Sequence, residues 1–128
     1  MPLTETDALS AYAKALNTLS AEALWPLLAE DFEYGSQRVL ADVTSKAVFR
    51  TYFSLKLANL RESRRPVFAE LGRITAYGHE HCVILAQGRK ENLVRLAFAD
   101  VSDGFIRRID LCIVPDAHEA RRSGFYPV

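Results

Sequence analysis

The chain has 128 residues, 49% of them hydrophobic and 25% charged, the composition of a single globular domain that can bury a core without covalent staples. Lys plus Arg and Asp plus Glu both number 16, so the formal net charge is zero, which argues against the basic excess of a nucleic-acid-binding face. No apolar run approaches the roughly 20 residues of a membrane helix, and the acidic start Met1-Pro-Leu-Thr-Glu-Thr-Asp7 lacks an apolar leader core. The expectation is a cytoplasmic protein with no nucleic-acid or membrane partner.

Thr4 suits a helix N-cap, with Glu5 and Asp7 in the first turn where the dipole favours carboxylates. Leu9, Tyr12, Ala13 and Leu16 follow the i, i+3, i+4, i+7 spacing, which predicts an amphipathic helix over residues 5 to 18. Ser20 starts a second, shorter helix carrying Leu24, Trp25, Leu27 and Leu28, kinked or restarted at Pro26, which lacks the N–H its turn would use. Phe32-Glu-Tyr34 reads as a short strand, ended by Gly35-Ser36, and residues 37 to 43 as a loop. Thr44 or Ser45 caps a third helix to about Glu62. Its stripe of Phe49, Phe53, Leu57 and Leu60 is widened by Val48, Tyr52 and Leu55, as expected of a helix lying on a sheet.

From Pro66 onward the period becomes two. Runs over 67 to 76 and 81 to 87 flank Tyr77-Gly78-His79-Glu80, a turn signal. A Gly78-His79 loop would place Glu70 opposite Gln87, Gly72 opposite Leu85 and Ile74 opposite Val83. Residues 88 to 92 lead into the clearest hairpin, 93 to 114, in which Asp103-Gly104 separates two alternating runs. Unbroken pairing there puts Phe98/Ile109, Leu96/Leu111 and Val94/Ile113 on one apolar face. The opposite face then carries Val101/Ile106, Ala99/Arg108, Ala97/Asp110 and Arg95/Cys112. The tail after Pro115 is polar until Gly124-Phe-Tyr-Pro-Val128, either docked or frayed. Three N-terminal helices packed on a curved antiparallel sheet define an α+β domain, with a cone-shaped cavity between the broad third helix and the sheet.

Few side chains carry chemistry. Glu70 and Gln87, paired on an otherwise apolar face, would give a desolvated carboxylate suited to general acid or base work, or two polar groups near a strand end that reach water. Tyr12, Tyr34 and Tyr52 could donate hydroxyls at the cavity mouth, although an apolar ring with a wet tip is the commoner use of such residues. Trp25 reads as a core anchor. Cys82 and Cys112 lie in expected strands without CxxC or zinc spacing, so they read as structural thiols of a reduced compartment. His79 and His81 flank a turn with no third ligand near, and His118 carries no motif, so no metal site is expected. There is no Gly-rich phosphate loop and no nucleophile elbow.

The element order resembles the nuclear transport factor 2-like superfamily, which includes ketosteroid isomerases and SnoaL-like polyketide cyclases. The strings that carry it are Ala11-Tyr-Ala-Lys-Ala-Leu-Asn17, Leu24-Trp-Pro-Leu-Leu-Ala-Glu-Asp-Phe-Glu-Tyr34, Ser45-Lys-Ala-Val-Phe49 and Asp103-Gly-Phe-Ile106. The resemblance covers nearly the whole chain. It implies a cone-shaped α+β barrel with a pocket at its open end, and a homodimer through the convex sheet face, here Arg95, Ala97, Ala99, Arg108 and Asp110. The isomerase chemistry needs a carboxylate base, with a tyrosine and a neutral acid donating to the oxyanion. The resemblance puts that tyrosine at Tyr12 but the acid at Leu96, and the base near Tyr34-Gly35-Ser36, where no carboxylate stands. Glu33 is adjacent but faces the other way on a strand, and the cyclases' aspartate has only Asp110 as a counterpart.

Three readings follow. The first is a cofactor-free small-molecule-binding domain, taking an apolar, ring-shaped ligand against Val94, Leu96, Phe98, Ile109, Leu111 and Ile113. In it, Tyr34, Tyr52 and Gln87 orient the ligand. The second is an acid/base enzyme (isomerase, dehydratase or cyclase) with Glu70 and Tyr12 as catalytic groups. The third is an interaction module whose cone is filled by its own side chains.

Overall fold

A computed structural model describes residues 2–37 and 42–128. Most of the loop expected over 37 to 43 lies outside the described residues; of what is described, Val43 bridges Tyr34. Helix α1 (Glu5–Thr18) begins in a full capping box: the Thr4 hydroxyl accepts from the Asp7 amide and the Asp7 carboxylate from the Thr4 amide, each at 3.0 Å. The expected second helix is not formed. Residues 25–27 make one 3₁₀ turn, and the chain is extended from Leu28 onward. Pro26 fits the start of a tight turn but cannot donate the bond that would carry an α-helix on. Strand β1 (Leu28–Ser36) is correspondingly longer than the three residues expected. Helix α2 (Lys46–Glu62) is capped by Ser45, whose hydroxyl accepts from the Val48 amide at 3.1 Å. Its stripe is narrower than expected: Phe49, Phe53 and Leu57 are buried, while Val48, Tyr52 and Leu55 face outward.

The remaining strands are β2 (Val67–Ala76), β3 (His79–Gln87), β4 (Leu93–Ser102), β5 (Phe105–Cys112) and the short β6 (Arg121–Arg122). Among the described residues the domain is α+β, with two α-helices rather than three on a six-stranded mixed sheet of order β1-β5-β4-β3-β2-β6. The expected four-strand meander forms its centre. β1 adds in parallel to β5 at one edge, and β6 adds antiparallel to β2 at the other. Neither helix is long and apolar enough to cross a membrane.

Register is where the structure departs from the expectation. The Asp103-Gly104 turn is as read, with φ of 55° and 80°, and Ser102 pairs with Phe105. One step on, pairing jumps from Val101–Ile106 to Asp100–Arg108, leaving Arg107 as an extra residue in a β-bulge. Beyond it Phe98 pairs with Asp110 and Leu96 with Cys112, whereas Ala99 pairs with Ile109 and Ala97 with Leu111. A one-residue slip exchanges the faces of one strand relative to the other, so the expected apolar face does not exist as one surface. The second hairpin turns at Tyr77-Gly78, with φ of 53° and 79°, not at Gly78-His79. Glu70 therefore pairs with Ile84, and Gln87 with Val67.

Two apolar layers result. The helix-facing side of the sheet packs Ala69, Val83, Leu85, Ala97, Ala99, Ile106, Ile109 and Leu111 under Leu9, Tyr12, Leu16, Phe49 and Phe53. The opposite side gathers Cys82, Ile84, Leu96, Phe98 and Cys112, covered by Ala117 and Ala120 from the segment after β5. The set expected to make a dimer face is thereby divided. Ala97 and Ala99 are buried in the helix-facing core, Arg95 lies on that same side, and Arg108 and Asp110 lie on the other.

Candidate functional site

Inside the helix-facing layer, the end nearest β1 is filled by aromatic rings. Phe49 stacks on Phe53 with ring centroids 5.1 Å apart, Phe32 lies 4.8 Å from Phe49, and Trp25 meets both Phe49 and Phe53 edge-on. Trp25 thus has the anchoring place expected of it. Open space is left at the other end, where a cleft of about 350 Å³ is walled by Leu16 of α1, Lys56 and Leu60 of α2, Val67 of β2, Leu85 and Gln87 of β3, and Val94 and Arg95 of β4. The β3–β4 pairing of Leu85 with Arg95 fixes Arg95 on this side, because directly opposed residues project to the same face.

Two tyrosines of the adjoining core stand outside the lining of this cleft. Tyr12 is 0% exposed, Tyr34 is buried, and among the described residues neither hydroxyl makes a well-formed hydrogen bond, only weak polar contacts between Tyr12 and Tyr34 and between Tyr34 and Tyr52. Burial pushes both hydroxyls far above the usual tyrosine range, neighbouring tyrosines (Tyr52 for Tyr12; Tyr12 and Tyr52 for Tyr34) add to it, and the Arg95 charge opposes it. Both therefore remain protonated donors. Burial, and secondarily the Arg95 charge, pull the Lys56 ammonium down to about 8. The Arg95 charge is thus felt by Lys56 in the cleft and, more weakly, by both tyrosines of the adjoining core. Tyr52, on the outer part of α2, is 42% exposed, and its ring lies 5.5 Å from that of Tyr34.

The other residues expected to bind ligand divide by face. Gln87 and Val94 do line the cleft. Leu96 and Phe98 do not: they lie in the opposite layer, where both are buried, and the bulge in β5 parts them from Ile109 and Leu111. Ile109 and Leu111 are packed in the core, and Ile113 is exposed past the end of β5. Glu70, only 2% exposed, sits on the far side of the sheet from the cleft. Its carboxylate accepts from Arg122 Nε at 2.8 Å, the Gly124 amide at 2.6 Å and the Tyr126 hydroxyl at 3.3 Å. Both oxygens are thus engaged in fastening the C-terminal segment, which is docked: the Leu71 amide donates to Phe125 O, and Asn17 Nδ2 donates to Pro127 O.

A second cleft, of about 390 Å³, lies on that far side between Gln37, Tyr77, His79, Phe98, Arg108 and Asp110. Its charges are mutually satisfied. Arg108 meets Asp110 and Asp42 at 2.9 Å and Glu33 at 3.1 Å, and His79 meets Asp100 at 3.2 Å and Glu5 at 3.3 Å while stacking on Phe98. Hydrogen bonds to Asp110 and Asp42 raise the Arg108 pKa further above its already high range. Gly35 leaves room for this cluster, since a Cβ there would stand 2.3 Å from Arg108 Nη2. Burial pushes the Cys82 thiol up to about 12 and that of Cys112 to about 11, which leaves both unreactive.

Sequence reasoning missed Lys56 and misplaced Arg95. Lys56 carried a signal: it falls on the run Phe49, Phe53, Lys56, Leu60, a cation on an apolar helical stripe. Arg95 shares its parity with Ala97 and Ala99, so its face was decided once that strand's inward side was known.

No protein-family model matches the sequence, and no curated protein matches it. Solved structures do. A nuclear transport factor 2-like protein from Anabaena variabilis aligns over 95% of this chain and 88% of its own, with a TM-score of 0.60 and 10% identity. One of unknown function from Cytophaga hutchinsonii covers 88% and 91%, with a TM-score of 0.58 and 13% identity. A candidate polyketide cyclase from Xanthomonas campestris covers 84% and 87%, with a TM-score of 0.58 and 19% identity. The chain has the fold of the nuclear transport factor 2-like proteins.

Proposed function

We propose that this is a small-molecule-binding domain whose ligand occupies the cleft between α2 and strands β3–β4. The observation that carries the reading is a concave cleft whose wall joins Leu16, Leu60, Val67, Leu85 and Val94 to Lys56, Gln87 and Arg95, the two cations having no acidic partner among the described residues. Ligand sites have this composition, whereas a filled interior hydrogen-bonds its buried polar atoms. The candidate cyclase among the structural neighbours fits a ligand-binding or enzymatic use of such a cleft. The acid/base reading built on Glu70 loses its geometry, because that carboxylate lies across the sheet and is held by Arg122. The interaction-module reading keeps only the aromatic-filled end of the core.

A thermal-shift series with small ring compounds, followed by amide chemical-shift mapping, tests this. A ligand at about a hundred times its Kd should stabilise by about 2.7 kcal/mol and perturb Leu85, Gln87, Val94 and Arg95. The reading fails if no compound stabilises the protein, or if the shifts map to Tyr77, His79 and Phe98.

A further inference from the structure

Among the described residues, five cationic side chains are half-buried: Lys46, Lys56, Arg95, Arg107 and Arg108. Lys46 has Glu30 at 3.8 Å, Arg107 has Asp31 at 2.9 Å and Asp103 at 3.3 Å, and Arg108 has three carboxylates. Lys56 and Arg95 have none, and none of the undescribed residues, Met1 and 38–41, is acidic. In a chain with as many acids as bases, two half-buried cations sharing one cleft without a counter-ion are a standing electrostatic cost. The neighbouring groups do not supply one. Tyr12 and Tyr34, in the adjoining core, are protonated hydroxyls that carry no charge. What the cleft lacks is an anion.

On this basis, and resting on the ligand-binding reading above, we infer that the cleft takes the carboxylate of a small ring-bearing organic acid, held between Lys56 and Arg95. The planar guanidinium matches a carboxylate in two-point geometry. Leu16, Leu60, Val67, Leu85 and Val94 offer a hydrocarbon body the apolar wall it needs, in about 350 Å³. A phosphate fits less well: Lys56 and Leu60 belong to the C-terminal half of α2, where the helix dipole adds no attraction for an anion. The attraction comes from two side chains, enough for a monoanion.

Titration calorimetry at pH 7 with benzoate and 2-naphthoate, each beside its neutral amide, decides the matter. The carboxylates should bind at least about tenfold more tightly than the amides. Lys56→Met and Arg95→Met should each weaken carboxylate binding by about tenfold or more and leave amide binding unchanged. Arg108→Met, on the far side of the sheet, should change neither. Equal binding of acid and amide overturns the inference while leaving the ligand-binding reading standing. Binding of neither overturns both. A carboxylate preference that survives both cleft variants, with melting curves showing them folded, also overturns it, because the anion then binds elsewhere.

Discussion

The two sides of the sheet handle buried charge in opposite ways. On the side facing the C-terminal segment, Glu70 and Arg108 are each engaged by several partners, and the result is structure: a fastened tail and a braced β1–β5 edge. On the helix-facing side, Lys56 and Arg95 are half-buried without an acidic partner among the described residues, and the Tyr12 and Tyr34 hydroxyls are buried without a well-formed hydrogen bond. Burial alone does not separate the two sets, since Glu70 is as buried as the tyrosines. The distinction lies in satisfaction. A polar group that the fold has already paired is committed to stability, and one left unpaired is open to a ligand.

Three substitutions break or sharpen this contrast. The largest effect is expected for Arg122→Met, which strips the ionic partner from Glu70 and should cost about 3–4 kcal/mol in urea unfolding, with loss of amide protection at Gly124 and Phe125. A neutral Arg122→Met would mean that Glu70 does not depend on its ion pair and would return it to consideration as a reactive carboxylate. Next, Leu96→Ala should cost about 2–3 kcal/mol, because Leu96 is enclosed in the far layer; a loss well under 1 kcal/mol would put it back on an open cavity wall.

The smallest change is of opposite sign. Lys56 is held at about 8 in the folded chain against an ordinary 10.5, so below pH 8 the folded state carries a charge that it disfavours. Between pH 8 and 10.5 the unfolded chain binds a proton at this site that the folded chain does not, and stability rises with pH. The wild type should gain in this window through this group. Lys56→Met should lack that gain and be more stable at pH 7 by about 1–2 kcal/mol. Destabilisation by Lys56→Met would show that Lys56 is a satisfied structural group.

Local signals were legible in the sequence wherever the cause was local. Thr4 with Asp7, Ser45 and Asp103-Gly104 declared two helix starts and a hairpin turn through their own hydrogen bonds and dihedral preferences. Pro26 marked a break, although not that a 3₁₀ turn and a strand would follow it. Tyr77 in the left-handed region ran against the expectation that Gly78 leads its turn, and that displacement moved Glu70 away from Gln87. The bulge at Arg107 had a trace in the sequence: Ile106 and Ile109 are three apart, so strict alternation cannot put both in the helix-facing core, where both lie. Both are 0% exposed.

The sequence by itself determined the element order, the caps, the meander and the tight turn at Asp103-Gly104, because each rests on interactions spanning a few residues. Only the tertiary structure decided which face each strand residue occupies. A single extra residue in a strand exchanges the two faces beyond it, and its position depends on what packs above and below. The bulge at Arg107 and the turn at Tyr77-Gly78 together left Leu96, Phe98 and Glu70 on one side of the sheet and Arg95 in the cleft with Lys56 on the other.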